Sequence, residues 1–380
     1  MLNQQIPDFP KEKFKLIEMD TSLNERIEKE SLTFWQDARV RLFKNPGAVT
    51  GMVILLFLTF MSIVAPFFNP YSYKDQLRSP ETNQILSKLP PRVPGLENMG
   101  IFDGTIKKEI GERGLSRYKE DEYKILSERM ETIGETQVKK YMIKEYSYVK
   151  SGAKDIYFWF GTDELGRDQW TRTWQGTRVS LLMGVISALV CMIVGIAYGS
   201  VAGYYGGRID NIMMRFCEVI SGIPYLVVVI IFILLLEPGL LSILLALTVT
   251  SWIGMARVVR SQILKLKNQE FVLAAKTLGT SDFKIILKHM YPNIIGQIMI
   301  MITFIVPSAI FYEAFLAFIG FGLPAPAASL GVLISDGQKI LITYPHIMTM
   351  PAIVISILML SLNIFANGLR DALDPRMKNN

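Results

Sequence analysis

The apolar positions of this chain are gathered into long blocks separated by polar stretches. A helix that crosses a membrane needs roughly 20 consecutive apolar residues. Six blocks qualify: Pro46 to Phe68, Val179 to Tyr205, Val219 to Leu236, Gly239 to Ala256, Ile294 to Phe321 and Ile347 to Ala366. Only Glu237 and Pro238 separate the third block from the fourth, which predicts a tight turn between antiparallel helices. Ahead of the first block, Thr33 and Gln36 have the spacing of a capping box. Phe34, Trp35, Ala38, Leu42 and Phe43 follow at helical spacing, with Arg39, Arg41 and Lys44 among them. That pattern predicts an amphipathic helix lying at the cytoplasmic membrane interface.

Composition sharpens the picture. Of the 380 residues, 50% are hydrophobic and 19% charged, whereas soluble domains carry about 25% charge. Clustered apolar residues at this level exclude an ordinary soluble enzyme and a disordered chain. The formal net charge is +6, and its excess lies beside the apolar blocks. It reads as a membrane-orientation signal, with no nucleic-acid partner expected. Arg257, Arg260, Lys265, Lys267, Lys276, Lys284 and Lys288 crowd the segment between the fourth and fifth blocks, while Lys339 stands alone between the fifth and sixth. Arg39, Arg41 and Lys44 flank the first block, and Arg370, Arg376 and Lys378 follow the last. All the rich segments share one side if both termini are cytoplasmic.

The expected layout follows from these assignments. Residues 1–45 form a cytoplasmic segment with the interfacial helix, and 46–68 the first span. Residues 69–178 form an extracellular insert and the lead-in to the second span. A five-helix core occupies 179–369, with a cytoplasmic loop at 257–293, and 370–380 form a cytoplasmic tail. The fold class is an all-α polytopic membrane protein of six transmembrane helices, with an α+β insert between the first two. Within the insert, Ser116 to Ile133 reads as a helix stopping at Gly134, and Tyr146 and Tyr148 alternate as in a strand. No cleavable signal is expected in the polar N-terminus. Cys191 and Cys217 sit in or beside apolar blocks, so no stabilising disulfide is expected.

Catalytic patterns are missing. The chain has no G-x-x-x-x-G-K-[ST] loop, no H-E-x-x-H, no metal-ligand spacing of Cys and His, and no G-x-S-x-G. Its two histidines, His289 and His346, are far apart in sequence. These absences argue against an ATPase, a metalloenzyme or an intramembrane protease.

The loop between the fourth and fifth blocks is the most informative segment. Glu270 falls in the first turn of a helix, where a negative charge suits the helix dipole. Ala274 and Ala275 lie one turn on, and Gly279 suits a left-handed stop. Ser281 can cap a second short helix that Pro292 ends. Helix, glycine corner and helix then form a knob at the membrane face. Two readings of it stand: a docking knob whose small residues admit a partner closely, or a plain amphipathic re-entry loop.

The stretch EFVLAAKTLGTSDFKIILKHMYPN resembles the E-A-A loop of membrane subunits of ATP-binding-cassette importers. The resemblance implies that Glu270, Ala274, Ala275 and Gly279 belong to a coupling helix that docks in a cleft of an ATPase subunit. Tyr291 departs from the aliphatic residue expected before Pro292. Further segments resemble the C-type permease of oligopeptide and dipeptide importers. They are FWQDARVRLFKNPGAVTGMVIL, FGTDELGRDQWTRTWQGTRVSL, AGYYGGRIDNIMMRFCEVISGIPYL, YEAFLAFIGFGLPAPAASLG and NGLRDALDPRMK. Leu330 stands where that subfamily has a Trp, and the insert is longer than the resemblance leads one to expect. The resemblance implies the type I importer permease fold in a bacterial plasma membrane. It also implies a homologous second permease, two ATPase subunits, an extracellular substrate-binding protein, membrane lipid and a peptide substrate. No cofactor is expected on this chain, with ATP and Mg held by the partner subunits. Dipeptides, oligopeptides, a signalling peptide or a nickel complex are all compatible cargoes.

Two intramembrane features carry open alternatives. Gly195, Gly199, Gly203 and Gly207 repeat every four residues, fitting close packing inside the bundle or against a partner. Glu313 lies within the fifth block, where a charge costs on the order of 3 kcal/mol. It either lines the translocation path or anchors neighbouring helices. Competing function classes are a self-sufficient secondary transporter, which needs ionisable pairs or internal repeats, and a receptor that works through the insert.

Overall fold

The computed structural model describes residues 33–133 and 136–374. Helix α1 (Phe34–Lys44) begins with the expected box, the Gln36 carboxamide accepting from Thr33 N at 2.9 Å. Helix α2 (Pro46–Val64) follows at once; Asn45 caps it by accepting from Ala48 N at 3.2 Å, and Pro46 occupies the first turn. Among the described residues, five helical segments are long and apolar enough to cross a membrane, and a bent pair makes a sixth if it is taken as one span.

Between α2 and the next long helix lies the insert. Strands β1 (Thr105–Gly111), β2 (Tyr123–Ile133) and β3 (Thr136–Tyr146) form an antiparallel sheet in the order β1-β3-β2. The expected helix over Ser116 to Ile133 is therefore wrong; most of that stretch is β2. Its charges, which suit an exposed helix, instead make cross-strand pairs. Lys139 meets Glu128 at 2.8 Å, and Lys140 meets Glu131. Tyr146 ends β3, while Tyr148 lies in a one-turn helix and donates from its hydroxyl to Pro90 O at 2.9 Å. Gly134, residues 1–32, Arg376 and Lys378 lie outside the described residues.

Helix α3 (Gln169–Tyr205) begins ten residues before the apolar block because polar side chains find partners in the insert. Asp168 caps it, accepting from Thr171 N at 2.8 Å. The fully buried Arg172 donates to Tyr73 O at 3.1 Å, and Arg178 donates to Ser62 O at 2.8 Å. The third span is broken. Helix α4 (Gly207–Ser221) and helix α5 (Tyr225–Leu236) meet at 82°, with Gly222 and Pro224 between them. Proline has no N–H to continue the ladder and crowds the preceding turn. Helix α6 (Leu240–Leu266) returns after the predicted tight turn.

Helix α7 (Glu270–Thr277) is short and leads to a continuous helical run over Asp282–Phe321. Within it α8 (Tyr291–Leu316) follows a π-helical turn over Ile285–Met290. Pro292 thus does not end a helix as expected; it sits in the first turn of α8, where its missing N–H does little harm. Helix α9 (Leu330–Gln338) is capped by Ser329, and α10 (Pro345–Leu373) closes the fold antiparallel to α2. A Cβ on Gly51 would meet Ser361 O at 2.9 Å, and one on Gly368 would overlap Ala48.

The glycine repeat resolves in favour of packing within the chain. A Cβ on Gly195 would lie 2.6 Å from Met255 Cβ, and one on Gly203 2.8 Å from Arg260 O. Only glycine lets α3 approach α6 this closely. Gly207 lies beyond the contact, at φ +55° with open space around it. Cys191 and Cys217 are free thiols buried in one cluster with Trp252 and Ala256.

Candidate functional site

Helix α7 starts where Gln269 turns extended at the foot of α6, which places Glu270 in its first turn. It stops at Gly279, whose φ of +76° is left-handed and whose surroundings are open. Backbone geometry alone therefore selects glycine there. Thr280 N donates to Ala275 O and Gly279 N to Lys276 O, both near 3.0 Å, closing the last turn.

The two alanines have different surroundings. Ala274 is exposed, whereas Ala275 is 7% exposed and Val272 2%. Val272 and Ala275 join a cluster with Met255, Val259 and Ile263 of α6 and Ile285, Met290 and Ile294 of the run into α8. The outer surface is apolar. Leu278 is 85% exposed and Phe283 71%, and Phe271 and Leu273 are exposed beside them. Glu270 and Lys276 stand at the rim of this patch.

Two latches hold the knob to the bundle. The Tyr204 hydroxyl donates to Asp282 Oδ1 at 2.6 Å, and the Tyr291 hydroxyl meets Ser200 Oγ at 3.0 Å. Tyr291, the departure from the expected pattern, is thus a tie to α3. Arg260 also grips the buried Asp210, donating from Nε and Nη2 to its two carboxylate oxygens and fixing α4 to α6. Sequence reasoning passed over Tyr204, Asp210 and Asp282. Each meets its partner at long sequence separation, so periodicity carries no trace of them.

Glu313 is in the interior of the chain, 1% exposed. Ser180 Oγ of α3 donates to Glu313 Oε2 at 3.1 Å and accepts from Leu330 N at 3.3 Å. The carboxylate therefore ties α8 to α3 and, through Ser180, to the start of α9. Leu330, at the position of the expected Trp, is fully buried in the cluster that holds Trp174 and Ile310. The face of α8 that carries Phe304, Ser308 and Tyr312 instead borders two grooves. One of about 320 Å³ lies toward Ser251 of α6, and one of about 250 Å³ toward Asn363 of α10.

Residues 195–379 match the family described as the binding-protein-dependent transport system inner membrane component. Residues 33–91 match the N-terminal transmembrane domain of oligopeptide transport permease C. The dipeptide transport system permease protein DppC of Bacillus subtilis (strain 168) is 40% identical over 99% of this chain and 95% of its own length. The chain belongs to the permease subunits of ATP-binding-cassette peptide importers. The oligopeptide permease OppC of the same strain is 36% identical over 98% of this chain and 99% of its own. A solved chain of the MetNI methionine ABC transporter, inward facing, superposes with a TM-score of 0.44 at 18% identity, over 53% of this chain and 96% of that one. As a peptide-importer permease, the protein is a multi-pass membrane subunit of a family that works with a second permease, ATPases and a binding protein. ATP hydrolysis in this family is the work of partner subunits. The sheet of the insert falls between the two matched regions.

Proposed function

We propose that this permease forms one half of a peptide path in a bacterial plasma membrane and is driven by separate ATPases through α7. In this reading both termini are cytoplasmic and the insert is outside, the arrangement the loop charges favour. ATP and Mg sit on two ATPase subunits, and this chain performs no bond chemistry. A homologous permease supplies the other half of the path, and an extracellular binding protein delivers the peptide. The observation that carries this reading is the division of α7. Its outer face offers Phe271, Leu273, Ala274 and Leu278 to a partner, while Val272 and Ala275 plug into the core between α6 and α8. A push on the outer face is transmitted to both long helices because the inner face is close-packed.

Glu313 acts in this reading as an internal bracket, and the path side of α8 is the one with Ser308, Phe311 and Tyr312. The grooves beside Tyr312 and the enclosed Ser180 contact support that division.

The test pairs two substitutions. Ala274→Arg is expected to leave the subunit inserted and folded while ATPase association and transport fall at least tenfold. Ala275→Arg is expected to lower the amount of folded subunit, because its side chain enters the core. Wild-type transport by an assembled Ala274→Arg complex would overturn the docking role. For topology, Lys119→Cys should be labelled from outside intact cells, and Lys276→Cys only after permeabilisation.

A further inference from the structure

The base of the insert sheet carries an unusual row. Lys107 of β1 and Lys124 of β2 both face Lys144 of β3 in register, so three lysines stand side by side across the strands. Like charges directly opposite one another disfavour strand pairing. Lys144 has one counter-charge, Asp103 at 2.8 Å, while Lys107 and Lys124 have no acidic partner among the described residues. A sheet that keeps such a row gains from an anion brought to it.

The surroundings say which kind. Beside the row, with Lys124 outside it, is a cleft of about 520 Å³, lined by Lys107, Lys144, Asp103, Phe102, Pro345, Thr349 and Met350. The last three open helix α10, a membrane span, so the cleft stands where that helix leaves the bilayer. The loop at its rim exposes Met99 (68%), Ile101 and Phe102, large apolar side chains. Below it, exposed Thr349, Ile353, Ile357 and Leu360 follow one another down one face of α10. Cations at headgroup height, an apolar rim and an apolar lane below match the three parts of an anionic phospholipid: phosphate, glycerol and acyl chain. An acidic protein partner would satisfy the lysines but would not account for the lane.

We propose that this cleft is a binding site for an anionic phospholipid of the outer leaflet, with Lys107 and Lys144 on the phosphate and Phe102 and Met350 against the glycerol and upper acyl region. The site rests on the outside placement of the insert. A bound lipid would fasten the insert to the outer end of α10 and set its height over the path.

The test uses the full-length chain in its assembled importer, in nanodiscs of phosphatidylcholine and phosphatidylglycerol, with photoreactive probes of each lipid. The phosphatidylglycerol probe should label residues 99–107 and 345–350 in preference to phosphatidylcholine. Lys107→Gln should cut that preference about fivefold, the contribution of one lysine near a charged surface, and Lys107→Arg should restore it. Phe102→Ser should weaken labelling by both lipids. Equal labelling by the two probes, or an unchanged preference in Lys107→Gln, would sink the site. Displacement of the label by soluble glycerol phosphate would make it a site for free anions and overturn the lipid assignment. Protection of Lys107 from acetylation only when the binding protein is added would assign the row to a protein partner, and would overturn it as well. Nanodiscs expose both leaflets, so these results do not depend on sidedness. Failure of the outside placement shows separately, as Lys119→Cys labelled only in permeabilised cells.

Discussion

Gly279 and Glu313 show how differently two conspicuous residues are held. Gly279 touches nothing that a Cβ would strike; its φ of +76° alone requires it. A β-branched residue in a left-handed conformation costs about 1–2 kcal/mol, and Asn tolerates the region better. Gly279→Val is therefore expected to impair transport more than Gly279→Asn, measured as peptide uptake at equal membrane abundance. Glu313 is held by contacts instead. One oxygen accepts from Ser180 at 3.1 Å, and Ser329 stands beside the carboxyl. If it is a bracket, Glu313→Gln keeps the acceptor and should transport near the wild-type rate, whereas Glu313→Leu removes it and should lower thermal stability. Loss of transport in Glu313→Gln with stability intact would instead place the charge on the path.

At the scale of elements, the tolerance of the close α3–α6 contact is set by carbonyl oxygens that cannot move aside. A Cβ on Gly199 would overlap Ala256 O. Forcing atoms into a packed interface costs typically about 1–3 kcal/mol. Gly199→Ala should accordingly lower the unfolding temperature of the purified subunit. Gly254, in α6, has nothing within 4 Å of the methyl group that alanine would add, and Gly254→Ala should be neutral or slightly stabilising because alanine favours helix. Equal effects of the two would mean that the helices are not in register at these glycines. The same contact also sets the position of α7. It follows directly on α6, and the buried Val272 and Ala275 join it to α8.

For the whole molecule, the joint between insert and bundle runs through Glu145. It is buried at the end of β3 and accepts from Tyr118, Lys108, Lys150 and Ser147. Lys108 also donates to Tyr344, the residue before α10, at 3.2 Å. Burial alone would raise the Glu145 pKa, but the Tyr118 hydroxyl and the Lys108 and Lys150 charges outweigh it and hold the carboxyl below its ordinary 4.5. A lowered folded pKa means stability that is full above 4.5 and is lost as the pH falls through the folded value. Burial likewise opposes the charge on Lys108, yet Glu145 and Tyr344 raise it above its ordinary 10.5, so its contribution is lost only as the pH rises beyond that. The insert should thus stay seated from weakly acidic to strongly basic conditions and loosen in acid. A distance between spin labels at Met130→Cys and Ile342→Cys should broaden below the usual carboxylate range. In Glu145→Gln it should already be broad at neutral pH.

Much of this protein is legible without coordinates. Blocks of apolar residues fix the spans, because backbone groups in lipid must be satisfied within each segment. Glycine and capping residues fix the ends of α1 and α7, because those effects are local. The Glu-Ala-Ala-Gly spacing marks the knob for the same reason. Tertiary structure alone decided the rest. It converted Tyr123–Ile133 from a helical pattern to a strand, because β3 offered pairing that outweighed local propensity. It bent the third span by 82°, turned Ala275 inward while leaving Ala274 outside, and buried Glu313 against Ser180. It aligned Lys107, Lys144 and Lys124 across the strands and set the first two beside the head of α10. Each of these depends on a partner distant in the chain, and which distant residues meet is settled by packing and register, which no local pattern encodes.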